Sequence, residues 1–195
     1  MSELLFNELP RPTFRWLRVN HTVSSLAGED TAVQSIAVEA NKDILSPLPV
    51  GTALLDGNYE GANKEAVHVL VEKAEGYAIN VPPKAKEVVG IRIDANARVA
   101  NRFQFIVGEG AELEVQFYVT GSGDALTNVS YLNEYDVKEA GKVVVKKVNL
   151  LPEHVQHIEH RYTKLEEKAD VEYINIEIGG SENILNYYHD LVGQE

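Results

Sequence analysis

Three histidines lie close together in the segment LPEHVQHIEHRY, and by type they are the residues best suited to hold a metal. Imidazole nitrogens ligate zinc and other transition metals, and His154, His157 and His160 fall within seven residues. The segment has the character of a strand. On a strand His157 faces away from His154 and His160, which would then lie about 20 Å apart. We therefore expect solvent-exposed or hydrogen-bonded histidines and no metal site.

Other arrangements that carry catalysis give weaker signals. His189 is followed by Asp190, an acid–base pair that nothing else in the sequence supports. The segments GEGAE and TGSGDA are short turns with no helix after them, which argues against a phosphate-binding loop. Neither a G-x-S-x-G nor an H-E-x-x-H motif occurs. Neighbouring carboxylates such as Glu166 and Glu167 are expected by chance among 30 acidic residues. The sequence predicts no catalytic residue and leaves cofactor-binding residues unknown.

The composition limits the function further. The 195 residues include no cysteine, which excludes a disulfide, a thiolate nucleophile and a Cys-bound iron–sulfur site within this chain. The net charge of −12 disfavours nucleic-acid binding. The densest basic group is interpreted as a solvated strand face, and it consists of Lys138, Lys142, Lys146 and Lys147. Neither a signal peptide nor an apolar run near ~20 residues is present, so we expect a soluble cytoplasmic protein without membrane contact.

A repeat determines the elements that would position these residues. Three segments align, namely FIVGEGAELEV from Phe105, YDVKEAGKVVV from Tyr135 and TKLEEKADVEY from Thr163. Each has an aliphatic residue, a glutamate two places later, a small residue two places further on, and then alternating apolar residues. The unit recurs after 30 and then 28 residues. This period and this alternation predict an all-β fold, a right-handed parallel β-helix.

The small residue of each unit has a physical reason. Ala111, Gly141 and Ala169 are expected to stack about 4.8 Å apart at a narrow corner without room for larger side chains. The inward aliphatic residues then form a continuous core, and the glutamates of the units face water because like charges repel. The segment IDANARV repeats the alternation about half a unit earlier. We therefore predict two opposed sheets, with one strand in each sheet per coil.

The chain divides into an N-terminal extension, residues 1–30, and a β-helix core, residues 31–195. In the extension we expect a short helix or turn from Thr13 to Asn20, capped by Thr13, and a Trp16 side chain buried against the end of the scaffold. In the core the segments QSIAVEA, AVHVLVEKAEGYAINV and VVGIRIDANARV alternate in polarity and are predicted to be strands.

The repeat spacing predicts the start of a further unit at Leu191. No capping element follows in the sequence, so we expect an incomplete β-helix, truncated before a C-terminal helical segment or covered by a partner. Apolar residues around Ile184, Leu185 and Tyr187 would then be incompletely covered. The expected consequence is either a homodimer or high mobility beyond about residue 180.

The N-terminal string NELPRPTFRWLRVN resembles the opening of SufB/SufD-family proteins, which favour N-x-L-P-x-x-T-x-x-W-L-x-x-N. The repeat units, HIEHRY and the closing YYHDLVGQ are also similar to the β-helix core of that family, so the resemblance covers nearly the whole chain. It implies a cytoplasmic iron–sulfur cluster assembly scaffold that works with a SufC-type ABC ATPase and a SufB/SufD-family subunit. The cluster would be present transiently in the full complex.

None of the family's functional residues transfers to this chain. The helical segment that binds SufC and the proposed cluster-building residues both fall beyond Glu195. The absence of cysteine fits a SufD-like member better than a SufB-like one. Two other functions stay open, a carbohydrate-active β-helix lyase or hydrolase and a purely structural β-solenoid. The single Trp and nine dispersed Tyr give little sign of a sugar-binding groove.

Overall fold

Alternating apolar residues along the repeats produce two opposed β-sheets. The computed structural model describes residues 3–8, 21–25, 36–54, 59–122, 124 and 126–193. These residues form a parallel β-solenoid of about four turns, mostly strand with one helix. The prediction of an all-β parallel solenoid with two sheets is confirmed.

The elements follow one another along the chain in pairs of strands. Their bounds are β1 (Glu3–Phe6), β2 (Thr22–Ser25), β3 (Ile36–Glu39), β4 (Leu45–Leu48), α1 (Lys64–Lys73), β5 (Gly76–Val81), β6 (Lys86–Asp94), β7 (Val99–Val107), β8 (Glu112–Thr120), β9 (Thr127–Val137), β10 (Lys142–Leu151), β11 (Val155–Leu165), β12 (Asp170–Gly179) and β13 (Glu182–Leu191).

From β5 onward, strands of even and odd number separate into the two layers. The five-stranded sheet has the order β12-β10-β8-β6-β3, and the six-stranded sheet has the order β13-β11-β9-β7-β5-β4. From β5 and β6 onward the strands within each sheet pair in parallel. At the N-terminal edge of the two sheets, β3 pairs antiparallel with β6 and β4 pairs antiparallel with β5. Each coil therefore contributes one strand to each sheet.

The three repeat units stack in the predicted register. Val143 pairs with Leu113 on one side and with Val171 on the other. The small residues stack as well, because the Lys142 N–H donates to the Ala111 carbonyl at 2.8 Å. A Cβ added at Gly141 would lie 2.9 Å from the Lys138 carbonyl oxygen, which leaves no room for a side chain there. The narrow corner is confirmed.

Each coil turns with a left-handed residue directly before its small residue. The positive φ values are 63° at Lys84, 62° at Gly110, 54° at Ala140 and 57° at Lys168. The first of these precedes Ala85, and Val81 pairs with Val107, so residues 81–89 form a further unit. Because that unit has Pro83 where the other three have a glutamate, the sequence pattern did not include it.

Two smaller predictions about the repeat are also confirmed. Leu191 pairs with Leu165 and takes the place expected for the next unit. The glutamates of the units are exposed, and they are Glu109, Glu139 and Glu167.

The core between the sheets is apolar in the earlier coils. Phe105 stacks on Tyr135 with ring centroids 4.6 Å apart, and Phe103 meets Phe117 edge to face. Stacked rings on successive coils follow from the parallel register, since equivalent inward positions lie one strand apart. This apolar core gives way to polar residues in the last coils.

The segment predicted as one long strand, AVHVLVEKAEGYAINV, is instead a helix followed by a strand. Asn63 caps α1 by accepting from the Ala66 N–H at 2.8 Å. Ala66, Val67 and Leu70 are buried at helical spacing, whereas Val69 is exposed. Alternation of Val with other residues suggested a strand, but the cap and the i, i+4 pairing of apolar residues favour a helix.

The N-terminal residues are described only in part. β1 and β2 pair antiparallel as a separate two-stranded sheet, and Phe6 is buried against Ile158 and Ile184. The predicted helix or turn from Thr13 to Asn20 and the predicted burial of Trp16 lie outside the described residues. No helix in the described ranges is long and apolar enough to cross a membrane.

Candidate functional site

The last coils carry charged side chains inside the solenoid. On β10 the inward positions run Val143, Val145, Lys147 and Asn149, and the last two are fully buried. The interpretation of Lys147 as part of a solvated strand face is therefore wrong. Lys146 and Lys147 are neighbours on a strand, so one must face solvent and the other the interior. Burial of Val143 and Val145 decides that Lys147 faces inward.

On β11, charged and polar residues occupy inward positions that hold Val129, Tyr131 and Asn133 one coil earlier. His157, Glu159 and Arg161 pair with those three residues and are all fully buried. Together with residues of the opposite sheet they form what we call the interior polar cluster. Its members are Tyr131, Asn133, Lys147, Asn149, His157, Glu159, Arg161, Glu177 and Tyr187.

Glu159 is the centre of this cluster. One of its oxygens forms an ion pair with Lys147, which reaches across from the other sheet. The other oxygen accepts from the Arg161 Nε–H at 2.9 Å and from the Asn133 side-chain amide at 2.9 Å. The Tyr187 hydroxyl donates to Glu159 over 3.4 Å. Most of the hydrogen-bonding capacity of the carboxylate is thereby satisfied.

Arg161 is held by aromatic rings as well as by charge. Its guanidinium carbon lies 4.2 Å from the centroid of the Tyr173 ring and 4.0 Å from that of Tyr187. Both rings belong to the final coil, on β12 and β13. The cation–π contacts therefore join the final coil to β11.

His157 occupies the other end of the cluster. Its Nε2 lies 3.0 Å from the Tyr131 hydroxyl, and its Nδ1 lies 3.0 Å from the side-chain nitrogen of Asn149. Burial, reinforced by the charge of Lys147, lowers the pKa of His157 to about 4. The imidazole is therefore neutral at pH 7, and each ring nitrogen has a polar neighbour.

The charges of the cluster balance. Burial alone would raise the pKa of Glu159, but Arg161 and Lys147 outweigh burial and hold that pKa well below its ordinary value. Burial would lower the pKa of Lys147, yet Glu159 and then Tyr187 and Glu177 raise it. Two cations thus face two carboxylates at neutral pH. The net charge of the cluster is therefore zero, and no unpaired charge is left to attract an ion of either sign.

The outer face of the six-stranded sheet carries a second set of polar anchors, one on β11 and one on β7. His160 is fully buried, and its Nδ1 accepts from the Ala62 N–H at 3.0 Å. Arg102 donates to the Thr52 and Pro49 carbonyl oxygens at 2.6 and 2.8 Å. These contacts fix backbone that crosses the outer face of the six-stranded sheet. They are structural contacts, since each ends on a main-chain group.

The structure places the predicted histidines apart. His157 faces the interior and His160 the outer face, as expected from strand geometry, and both make hydrogen bonds. His154 lies in the turn before β11 rather than on the strand. His189 is exposed and packs against Tyr173 at the open side of the final coil, whereas Asp190 lies on the opposite face of β13 and accepts from the Tyr162 hydroxyl. The pair His189–Asp190 is therefore divided between two faces.

The chemistry open to this site is that of a rigid polar interior. Within the described residues no three His, Asp or Glu side chains converge as a metal-binding group. The chain also lacks cysteine, so it offers no thiolate to carry sulfur or to ligate iron. What the cluster does is tie both sheets and the final coil together through charge.

Fold and interior define a class, namely a parallel β-solenoid whose later coils enclose a charge-balanced polar cluster. A family model described as "SUF system FeS cluster assembly, SufBD core domain" matches residues 91–195, which include the whole cluster. The chain therefore belongs to the SufBD family, and this membership gives it a role in iron–sulfur cluster assembly. Searches of curated proteins and of solved structures found no match.

The interior polar cluster was missed by the sequence analysis. Its signal was present in HIEHRY, where Glu159 and Arg161 stand at alternate positions and so share one face of a strand. Oppositely charged residues at alternate positions are usually a solvated face. The signal that distinguishes this strand is that the equivalent inward positions of the two preceding coils hold uncharged residues, namely Tyr131 and Asn101 for Glu159, and Asn133 and Phe103 for Arg161.

Proposed function

We propose that this chain is a cytoplasmic scaffold subunit of iron–sulfur cluster assembly that acts with a SufC-type ABC ATPase and a SufB/SufD-family subunit. It has no catalytic activity of its own. The observation that carries the proposal is the match to the SufBD core domain over residues 91–195. The iron–sulfur cluster is cargo of the full complex, and this chain holds it only transiently through its partners.

Two features of the chain support a scaffold role. The 195 residues of this chain include no cysteine, so this part of the polypeptide offers no thiolate to iron or sulfur. The interior ion pairs rigidify the coils that the family model matches, because each buried charge has a fixed partner. A rigid body of this kind is suited to hold partner subunits at a constant distance.

The test is reconstitution with the partners from the same source. The complete polypeptide that contains this chain is co-purified with the SufC-type ATPase and a SufB/SufD-family subunit, and iron, sulfide and ATP hydrolysis are measured. We expect a stable ternary complex that retains iron and sulfide, and a chain that alone retains neither and hydrolyses no ATP. The ATPase assayed without the chain is the matched control.

Two results would contradict the proposal. The first is a failure of the chain to associate with either partner while remaining folded by circular dichroism. The second is turnover of an acidic polysaccharide by the purified chain, which would favour the carbohydrate-active alternative.

A further inference from the structure

The outer face of the five-stranded sheet carries an exposed apolar surface. On β12 three consecutive outward positions are isoleucines, with exposed fractions of 44% at Ile174, 47% at Ile176 and 58% at Ile178. Most outward positions of β6 and β8 are instead charged or polar. Isolated exposed apolar residues are ordinary, but a contiguous set indicates a contact surface.

The parallel register brings further apolar residues beside the isoleucines. Val148 pairs with Ile176 and with Tyr118, and Leu150 pairs with Ile178. We call this surface the isoleucine patch. It consists of Tyr118, Val148, Leu150, Ile174, Ile176 and Ile178. Three strands spaced by about 4.8 Å and five residues along β12 give it dimensions of roughly 10 by 13 Å.

The six-stranded sheet shows what covers such a surface in this molecule. There α1 packs onto the outer face through Val67 and Leu70, against Leu132 and Tyr162. α1 has ten residues and is about 15 Å long. One helix of this length would also cover the isoleucine patch.

The rim of the patch is acidic. The adjacent cations are neutralised, because Lys146 pairs with Glu114 at 2.7 Å and Arg92 pairs with Glu39 at 3.5 Å. Glu172, which precedes Ile174 on the same outward face, has no cation within ion-pair distance among the described residues.

Asp94 pairs with Thr120, which in turn pairs with Leu150 of the patch. Asp94 has no ion pair in the described part of the chain, and its carboxylate accepts a hydrogen bond from the Asn96 side chain at 2.7 Å. Both of these rim carboxylates therefore lack a paired cation among the described residues. The overall charge of −12 adds long-range attraction for a cation.

A groove adjoins the patch and gives it shape. Gly90 faces outward without a side chain, and Gln116, Tyr118, Lys146 and Val148 line the depression. A large apolar side chain of a bound partner would fit beside Tyr118. Such a pocket fixes the position of a ligand better than a flat sheet does.

We propose that the isoleucine patch binds a basic amphipathic helix of a partner protein. The apolar face of the helix lies on Ile174, Ile176 and Ile178, and its Lys or Arg residues pair with Glu172 and Asp94. The binding mode is a helix laid on an apolar surface, with charge at the rim setting the preference for a basic partner. The proposal is independent of the proposed role in cluster assembly.

The probe is a synthetic amphipathic peptide of about 14 residues made of Leu and Lys, long enough to span the patch. A peptide of the same pattern with Glu in place of Lys is the matched control. Binding is measured by calorimetry and located by amide chemical shifts. We expect the Lys peptide to bind and to shift β10 and β12 amides, and the Glu peptide not to bind.

Variants distinguish the patch from general attraction to an acidic protein. Ile176→Ser should weaken binding by about tenfold or more, and Glu172→Gln by roughly threefold. Val88→Ser and Glu65→Gln alter an exposed apolar residue and an exposed carboxylate outside the patch, and should leave the affinity unchanged. All four positions are on the surface, so equal melting temperatures verify the fold.

The proposal is overturned if Ile176→Ser binds the Lys peptide as tightly as the unaltered chain, or if the Glu peptide binds equally well. It is also overturned if ultracentrifugation shows a dimer that Ile176→Ser dissociates, since the occupant of the patch is then a second copy of this chain.

Discussion

Lys147 and Glu159 form an ion pair across the interior of the solenoid, with both side chains fully shielded from solvent. Lys147 comes from the five-stranded sheet and Glu159 from the six-stranded sheet. Burial of two charges is costly, and it is offset here by Arg161, Glu177 and the surrounding amides. The pair joins the two layers at the point where the apolar core ends.

We predict that Glu159→Gln destabilises the protein by about 3–5 kcal/mol, because it leaves Arg161 and Lys147 buried with one carboxylate fewer. Urea unfolding measures the change. Glu114→Gln is the matched control, because its partner Lys146 is largely exposed and the loss there should stay below about 1 kcal/mol. If the two substitutions lowered the unfolding free energy equally, the buried ion pair would stabilise the protein no more than the exposed one does.

The stability of the protein should decrease as the pH falls from about 6.5 to about 4. Burial lowers the pKa of His160 from 6.5 to about 4. In this pH range the unfolded chain binds a proton that the folded chain excludes. The contribution of neutral His160 to the unfolding free energy is therefore fully present above pH 6.5. It is lost as the pH falls towards 4, and the loss amounts to at most about 3 kcal/mol.

The variant His160→Gln tests this pH dependence, since an amide oxygen can still accept from the Ala62 N–H but does not titrate. We expect its unfolding free energy to vary less between pH 4 and 6.5 than that of the unaltered chain. His68→Gln, on the exposed face of α1, is the control for a histidine-to-glutamine substitution away from this site. An unchanged slope in His160→Gln would contradict the assignment of the effect to this residue.

Much of the fold followed from the repeat, whereas the contents of its interior did not. Alternation at Val143 and Val145 set the register, and the structure has that register. Continued alternation from Val143 and Val145 places Lys147 inside, but a lysine is rarely buried without a partner, so the sequence analysis assigns Lys147 to solvent. Its buried partner Glu159 lies on the other sheet, and cross-sheet pairs leave no local trace in one sequence.

The helix α1 was missed for a different reason. Val67, Val69 and Val71 alternate with polar or larger residues, which is typical of a strand. The helix forms because Asn63 caps it and because tertiary contacts of Val67 and Leu70 bury one helical face. Such contacts outweigh the intrinsic preference of valine.

Ala111→Leu should destabilise the protein by about 1–3 kcal/mol through overpacking at the narrow corner. Ala111 is completely buried, whereas its equivalent Ala169 is only partly buried. Thermal unfolding of Ala111→Leu and Ala169→Leu should therefore show the larger loss at Ala111. If Ala111→Leu had the same melting temperature as the unaltered chain, the corner would have room for the larger side chain and would not be narrow.

Asn63→Ala should cost about 1 kcal/mol by removing the helix cap. The Asn63 side chain accepts from the Ala66 N–H at 2.8 Å and donates to the Leu5 carbonyl at 2.8 Å. We expect faster hydrogen exchange in α1 in addition to the global loss. Lys64→Ala, at the exposed neighbouring position, loses only an exposed ion pair with Glu60 and is the control, with a much smaller expected effect on both quantities. If hydrogen exchange in α1 were unchanged in Asn63→Ala, the Asn63 cap would contribute nothing to the stability of the helix.

The cation–π contacts of Arg161 should matter more than the hydroxyl of Tyr187. Tyr187→Phe keeps the ring 4.0 Å from the guanidinium carbon and loses only long hydrogen bonds of 3.4 and 3.5 Å to Glu159 and Lys147. Tyr187→Leu keeps an apolar side chain but removes the ring. We expect Leu to destabilise by about 1–2 kcal/mol more than Phe in urea unfolding. The hydrogen exchange of β13 should rise with Leu and not with Phe, because the ring joins that strand to Arg161. Equal losses for the two variants would assign the contribution to the hydroxyl instead.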